Sequence, residues 1–165
     1  MMLRRLIRHQ SGAAAAEMAL VAPLLILIMF GSMEMGYYFY SEHVVVKAVR
    51  DGARYASRRN FTNYDCPSTT IGGTVVADTQ NVTRTNTVDG TGTPRLAGWT
   101  ANSSVTVSLR CDTSGTYVTF YEGTGGVPVV TVTAVVPYTS LFKVIGFNST
   151  AMNLRSSSEV AVMGI

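Results

Sequence analysis

Hydrophobic and polar positions follow different periods in different parts of the chain. From Met18 to Met33 there are 16 residues without a charge. With Ala13–Ala16 before it and Met35–Tyr40 after it, the apolar segment reaches 28 residues and holds only two charges, Glu17 and Glu34. A helix needs roughly 20 apolar residues to cross a bilayer's hydrocarbon core, so this segment is long enough. Helical spacing continues beyond it through Val45, Val49, Gly52 and Ala56, with Val46, Ala48 and Ala53. Lys47, Arg50, Arg54 and Arg58 form a basic ridge on the same helix, and Asp51 is within i+4 reach of Lys47. The pattern predicts one helix from Ala13 to Arg59, with Gly52 as a candidate bend. Pro23 removes one helical hydrogen bond and frees the carbonyl of Ala19. Membrane helices tolerate this where neighbours satisfy the freed group. Ala15, Ala19 and Ala22 make a small-residue face suited to close helix packing, or simply reflect helix propensity.

Beyond Arg59 the residues turn to Thr, Ser, Gly, Asn and Val, and the period shortens. Residues 60–70 read as a loop around Cys66-Pro67. Thr70–Gln80 is ambiguous between a short helix and a strand, and Thr85–Ala101 reads as loop or hairpin. Ser103–Arg110 alternates, with Val105, Val107 and Leu109 against Ser104, Thr106 and Ser108, as a half-buried strand does. A short aromatic strand is expected at Tyr117–Tyr121. The strongest strand signal is Val129–Tyr138, with Val130, Val132, Ala134 and Val136 on one face and Pro137 ending it. Ser140–Phe147 reads as one or two helical turns burying Leu141, Phe142 and Ile145, and Ala151–Val162 as a last strand. The fold class is α+β: a long N-terminal transmembrane helix extending into a small antiparallel β-sheet domain. The implied division is a basic leader at 1–12, the transmembrane helix at 13–40, its outer extension at 41–59 and a β-rich domain at 60–165.

Charge refines this picture. Lys plus Arg exceeds Asp plus Glu by 13 − 10 = 3. Arg4, Arg5 and Arg8 account for the whole excess, so the basic balance belongs to the leader and gives no reason to expect nucleic acid. By the positive-inside rule the same arginines place the N-terminus in the cytoplasm and the following chain outside. Glu17 is the unusual residue, because a carboxylate in hydrocarbon costs about 2.5–3.5 kcal/mol on insertion scales. A basic leader ending in Gly12, a small residue at Ala13 and Glu17 at the fifth position beyond the glycine resembles a type IV prepilin signal. The resemblance implies cutting between Gly12 and Ala13 by a prepilin peptidase on the cytoplasmic face. A secretory signal peptide would carry its small-residue site after the apolar core; here Ala13–Ala16 precede it. An uncleaved signal anchor is the plainer alternative.

Three blocks, in order, are more specific than that motif. They are Gly12-Ala-Ala-Ala-Ala-Glu17-Met-Ala-Leu-Val-Ala-Pro23-Leu-Leu25, then Gly31-Ser-Met-Glu34-Met-Gly36, then Ala48-Val-Arg-Asp-Gly52-Ala-Arg-Tyr-Ala56. Together they resemble the TadE-like family, pseudopilin-like proteins of the tight-adherence (Tad) pilus, in which an aromatic residue usually stands where this chain has Met18. The resemblance implies a pilin-like architecture and a non-catalytic minor subunit or assembly factor. It also implies a bacterial inner-membrane location with the C-terminal domain in the periplasm. Expected partners are the lipid bilayer, other pilin-like subunits, Tad platform proteins and a prepilin peptidase. Glu17, Pro23 and Glu34 are the expected assembly residues. The alternative from another class is an anchored periplasmic interaction module that never enters a pilus.

Two cysteines, Cys66 and Cys111, in an exported domain suggest a disulfide; two unpaired buried thiols are the other possibility. His9 lies in the leader and His43 stands alone, so no histidine-based metal cluster or catalytic triad can be assembled, and no cofactor is expected. The Gly-rich stretches near Gly90 and Gly123 lack the lysine of a phosphate loop.

Overall fold

The computed structural model describes residues 10–66, 68–114, 125–146, 149 and 152–164. The strand expected at Tyr117–Tyr121 lies outside them. Helix α1 spans Gln10–Ser57, and a 3-10 turn at Phe61–Asn63 leads to the two-residue strands β1 (Tyr64–Asp65) and β2 (Thr70–Ile71). Helix α2 follows at Val75–Thr85, then β3 (Val105–Asp112), β4 (Val127–Pro137), a 3-10 segment at Leu141–Ile145, and β5 (Asn153–Ala161). The chain divides into two compact units, one ending at Tyr37 and one beginning at Tyr38. The fold is α+β, a long N-terminal apolar helix followed by a small antiparallel sheet.

In the first unit α1 is apolar around its whole circumference, the pattern of a helix whose solvent is not water. Leu20 is 80% exposed and Leu27 71%. The helix is long and apolar enough to cross a membrane. Pro23 lies inside it without ending it.

The second unit is built on the remaining part of α1. Val45, Ala48, Val49, Ala53 and Ala56 are buried there. Strands β3, β4 and β5 form an antiparallel sheet in that order, with Val107 opposite Val132 and Val132 opposite Ser158. As the central strand, β4 buries Val130, Val132, Ala134 and Val136 almost completely. Two contacts tie it alongside the helix. The ring of Tyr38 meets that of Tyr138 edge-on at 5.2 Å. Past the other end of the sheet, the Met163 N–H donates to the Ser57 carbonyl at 2.7 Å.

The ambiguous segment after residue 70 divides in two, β2 and then α2, which continues to Thr85. Its buried face uses Thr79 and Thr83 beside Val75 and Val82. Threonine can sit there because its hydroxyl bonds back to the preceding turn: Thr83 Oγ1 donates to the Thr79 carbonyl at 2.7 Å. Asn86, in the left-handed region at φ 65°, closes the helix. The following loop is anchored by Trp99, whose indole N–H donates to Ser104 Oγ at 2.7 Å.

Two expectations are corrected. Leu141, expected to be buried, is 46% exposed and Phe142 is half-buried; Tyr138 and Leu154 already close that end of the core. Asp51 pairs with Arg95 at 2.9 Å rather than with Lys47, because the loop after α2 brings that guanidinium over the helix. Gly52, the candidate bend, is a point of close approach between α1 and α2. A Cβ there would fall on Thr83 Oγ1 and within 3.2 Å of Thr83 Cβ. Gly52→Ala should therefore destabilise the second unit by roughly 1–3 kcal/mol, the usual cost of overpacking. Adding Thr83→Ala should return part of that loss. Thermal unfolding of the detergent-solubilised chain, compared across the four members of the double-mutant cycle, measures the coupling.

Candidate functional site

The residues singled out in the sequence fall in two separate places. Gly12 and Ala13 lie in the first described turn of α1. Both residues are exposed, and a Cβ on Gly12 would meet nothing within 4 Å. Glu17 is exposed one turn beyond Ala13, and Pro23 lies further along the same helix, also exposed. Glu34 is half-buried.

The second place is the far end of α1, where a cleft of about 430 Å³ is lined by Asp51, Arg54, Tyr55, Arg58, Arg59, Val82 and Asn86. Two of these, Tyr55 and Arg59, are held by Asp78, in the first turn of α2, where a carboxylate also suits the helix dipole. Thr74 Oγ1 donates to Asp78 at 2.7 Å and the Tyr55 hydroxyl at 3.2 Å. Arg59 donates to the Tyr55 hydroxyl, lies 4.3 Å from the centre of its ring, and reaches Asp78 at 3.9 Å. Burial raises the Tyr55 hydroxyl above its ordinary range, against the opposing pull of Arg59. Asp51 is neutralised by Arg95, which also donates to Asn86 Oδ1 at 2.7 Å.

With both carboxylates matched, the cleft keeps the charge of Arg54 and Arg58. Both are exposed and have no partner among the described residues. They complement the negative C-terminal end of α1. Chemically the cleft offers hydrogen-bond donors and positive charge. Its tyrosine stays protonated at neutral pH and acts as a donor. Sequence reasoning saw the ridge of arginines but not Tyr55, Arg59 and Asp78 as a group. The one available signal was Thr74 before a helix carrying Asp78, and the threonine-rich face of α2 hid it.

Below this cleft the chain is covalently closed. Cys66 and Cys111 form a disulfide with their Cα atoms 5.4 Å apart, joining the segment after β1 to the end of β3 across 45 positions. Nearby, the buried Tyr64 hydroxyl donates to the Ala56 carbonyl on α1. Burial pushes that hydroxyl up to about 12, with Arg59 pulling the other way.

Residues 12–54 match the family model described as TadE-like protein. This is the family that the three sequence blocks resemble, and the match runs along α1 from Gly12 to Arg54. No curated protein and no solved structure matches the chain. The TadE-like segment thus contains Gly12, Ala13, Glu17, Pro23 and Glu34, and stops as the cleft begins.

Two measurements follow from this chemistry. Reducing the Cys66–Cys111 bond should lower the unfolding free energy by about 4 kcal/mol, the chain-entropy value for a loop of this size. The check is the denaturant midpoint with and without reductant, and an unchanged midpoint contradicts it. Tyr64 contributes through its neutral form. Its stabilisation is complete below the ordinary value of 10.0 and is lost as pH rises through about 12. Tyr64→Phe should cost about 1 kcal/mol near neutrality and flatten that alkaline loss, read by denaturation at a series of pH values.

Proposed function

We propose that the chain is a membrane-anchored, non-catalytic component of a Tad-type pilus, acting as a minor pilin-like subunit or assembly factor. The match of residues 12–54 to the TadE-like family carries this reading. In it the helix spans the bacterial inner membrane with the N-terminus in the cytoplasm and the sheet-bearing unit in the periplasm. The anchored state is a store of subunits. Assembly exchanges lipid for the helices of neighbouring subunits, and the small face at Ala15, Ala19 and Ala22 permits close approach. Peptidase cutting after Gly12 would give Ala13 a free amine. A neighbour's Glu17 would then find a positive partner in place of hydrocarbon, which removes the cost of an unpaired buried carboxylate. Pro23 and Glu34 supply further packing and polar contacts along the same helix.

The alternative is an anchored periplasmic interaction module. The free guanidiniums of Arg54 and Arg58 in the cleft favour it. The two readings part at the helix N-terminus.

With the matching prepilin peptidase present, the mature N-terminus should be Ala13, and Gly12→Val should block cutting because the glycine lets the enzyme reach the backbone. Glu17→Leu should leave the amount of membrane-inserted protein unchanged or higher, yet impair co-purification with pilin-like partners. Peptide mass of the N-terminus, with and without peptidase, and partner recovery read the two effects. An intact leader in both backgrounds, together with normal assembly of the Glu17→Leu protein, would overturn the pilin-like reading.

A further inference from the structure

The end of the second unit at which the chain enters it has an unusual composition. Tyr38 directly follows the first unit, and its ring meets Tyr138 at 5.2 Å. Tyr138 follows directly on Pro137, the last residue of β4, so the connection from β4 to β5 is held at this end. The opposite end of the sheet is fixed at Ser57 through Met163. Tyr38 and Ser57 lie 19 positions apart on the helix, about 28 Å at 1.5 Å per residue.

The connection is tightly pinned. Ser149 Oγ donates to the Tyr138 carbonyl at 2.8 Å and accepts from the Ser140 N–H at 3.1 Å. The Tyr138 N–H donates to the Met152 carbonyl at 2.9 Å. Yet the connection shows apolar groups to solvent: Leu141 is 46% exposed and Met152 49%. Lys143, two residues after Leu141, is exposed as well. On the helix at the same end, Phe39 is 52% and Tyr40 60% exposed.

We propose that this apex, Leu141 and Met152 with Lys143, seats in the headgroup boundary of the lipid bilayer. The proposal rests on the membrane-anchor reading. A lipid surface is the occupant because the apex lies where the apolar run delivers the chain. Amphipathic aromatics such as Tyr40 are characteristic of the bilayer–water boundary. Exposed Leu and Met with a lysine match the apolar-plus-cationic chemistry of surface-seated segments. The cations of the cleft belong elsewhere. Arg54 lies 16 residues beyond Tyr38 on the helix, about 24 Å away, so it does not share this boundary. Seating the apex gives the second unit a fixed attitude on the bilayer and presents the Arg54 and Arg58 cleft away from it.

The test uses the full chain in vesicles of phosphatidylcholine with about one-third phosphatidylglycerol, anionic enough to attract a lysine. Single tryptophans replace Leu25, Leu141, Met152 or Met163, with the buried native Trp99 as a common background. Quenching of Leu141→Trp, Met152→Trp and Met163→Trp by lipids brominated near the headgroup end of their chains is compared, and Leu25→Trp, which lies near mid-span, is read with lipids brominated near the chain ends. Leu141→Trp or Met152→Trp should be quenched about threefold or more above Met163→Trp, as for a ring seated roughly 5–10 Å into the boundary. Either variant suffices if the other fails to fold. If Leu25→Trp is quenched while Leu141→Trp and Met152→Trp both stay at the Met163→Trp level, the apex is not seated and the anchor reading survives. If Leu25→Trp is unquenched, the anchor reading falls and the apex with it.

Discussion

The second unit depends on the narrow face of α1 that carries Val45, Ala48, Val49, Gly52 and Ala56. All five are small or β-branched, and each is buried. Their size sets how near other elements can come. On one side Gly52 admits Thr83 of α2 to a distance that a methyl group would forbid. On another, the helix lies along β4, held at Tyr38 and at Ser57. Burial of this face stabilises the unit through apolar surface removed from water. The disulfide and the Tyr64 hydrogen bond to Ala56 then fix the segment after the helix against the same scaffold. A single helix thus meets two environments: exposed apolar side chains before Tyr38, and a packed protein core after it.

Much of this was legible from periodicity. The helix, β3 and β4 each announced themselves through a repeat that burial then follows, because a half-buried strand or helix face must alternate to keep its polar atoms wet. The illegible parts share a cause. In α2 the buried face is made with Thr79 and Thr83, and a threonine carries no apolar signal even when its hydroxyl is satisfied within the helix. Leu141 failed in the opposite direction, an apolar residue left exposed because Tyr138 and Leu154 had filled the core. Arg95 could not be assigned to Asp51 from sequence, since the two are 44 positions apart (95 − 51) and meet only through a loop's path. The cleft is a product of tertiary placement, and only its arginine ridge lay on one element.

The electrostatics of the cleft explain what it is suited to. Asp78 and Asp51 each have a guanidinium within reach, and Tyr55 is held protonated by burial. Such an arrangement fixes geometry. What remains is the positive charge of Arg54 and Arg58 at the helix C-terminus. An anionic group approaching this end meets two donors that need not first break an internal ion pair. Recognition by charge is therefore inexpensive there, and its strength falls as salt rises.

The extent of the family match bears on where the specific constraints lie. It covers 12–54, the helix from Gly12 to the start of the cleft, and not the sheet. A three-stranded sheet of alternating Val, Thr and Ser can be encoded many ways, since each position need only be apolar or polar in turn. The helix has less freedom. It must be apolar enough for a membrane and small enough on one face for a core, and it carries Glu17 as well. That carboxylate is disfavoured in hydrocarbon and improves neither the helix nor the core. Its presence is best accounted for by a state in which the helix is surrounded by something other than lipid. A helix destined to remain an anchor would be more stable with leucine at position 17. Glu17 therefore favours the pilin-like reading over the anchored module, even though the cleft, taken alone, leans the other way.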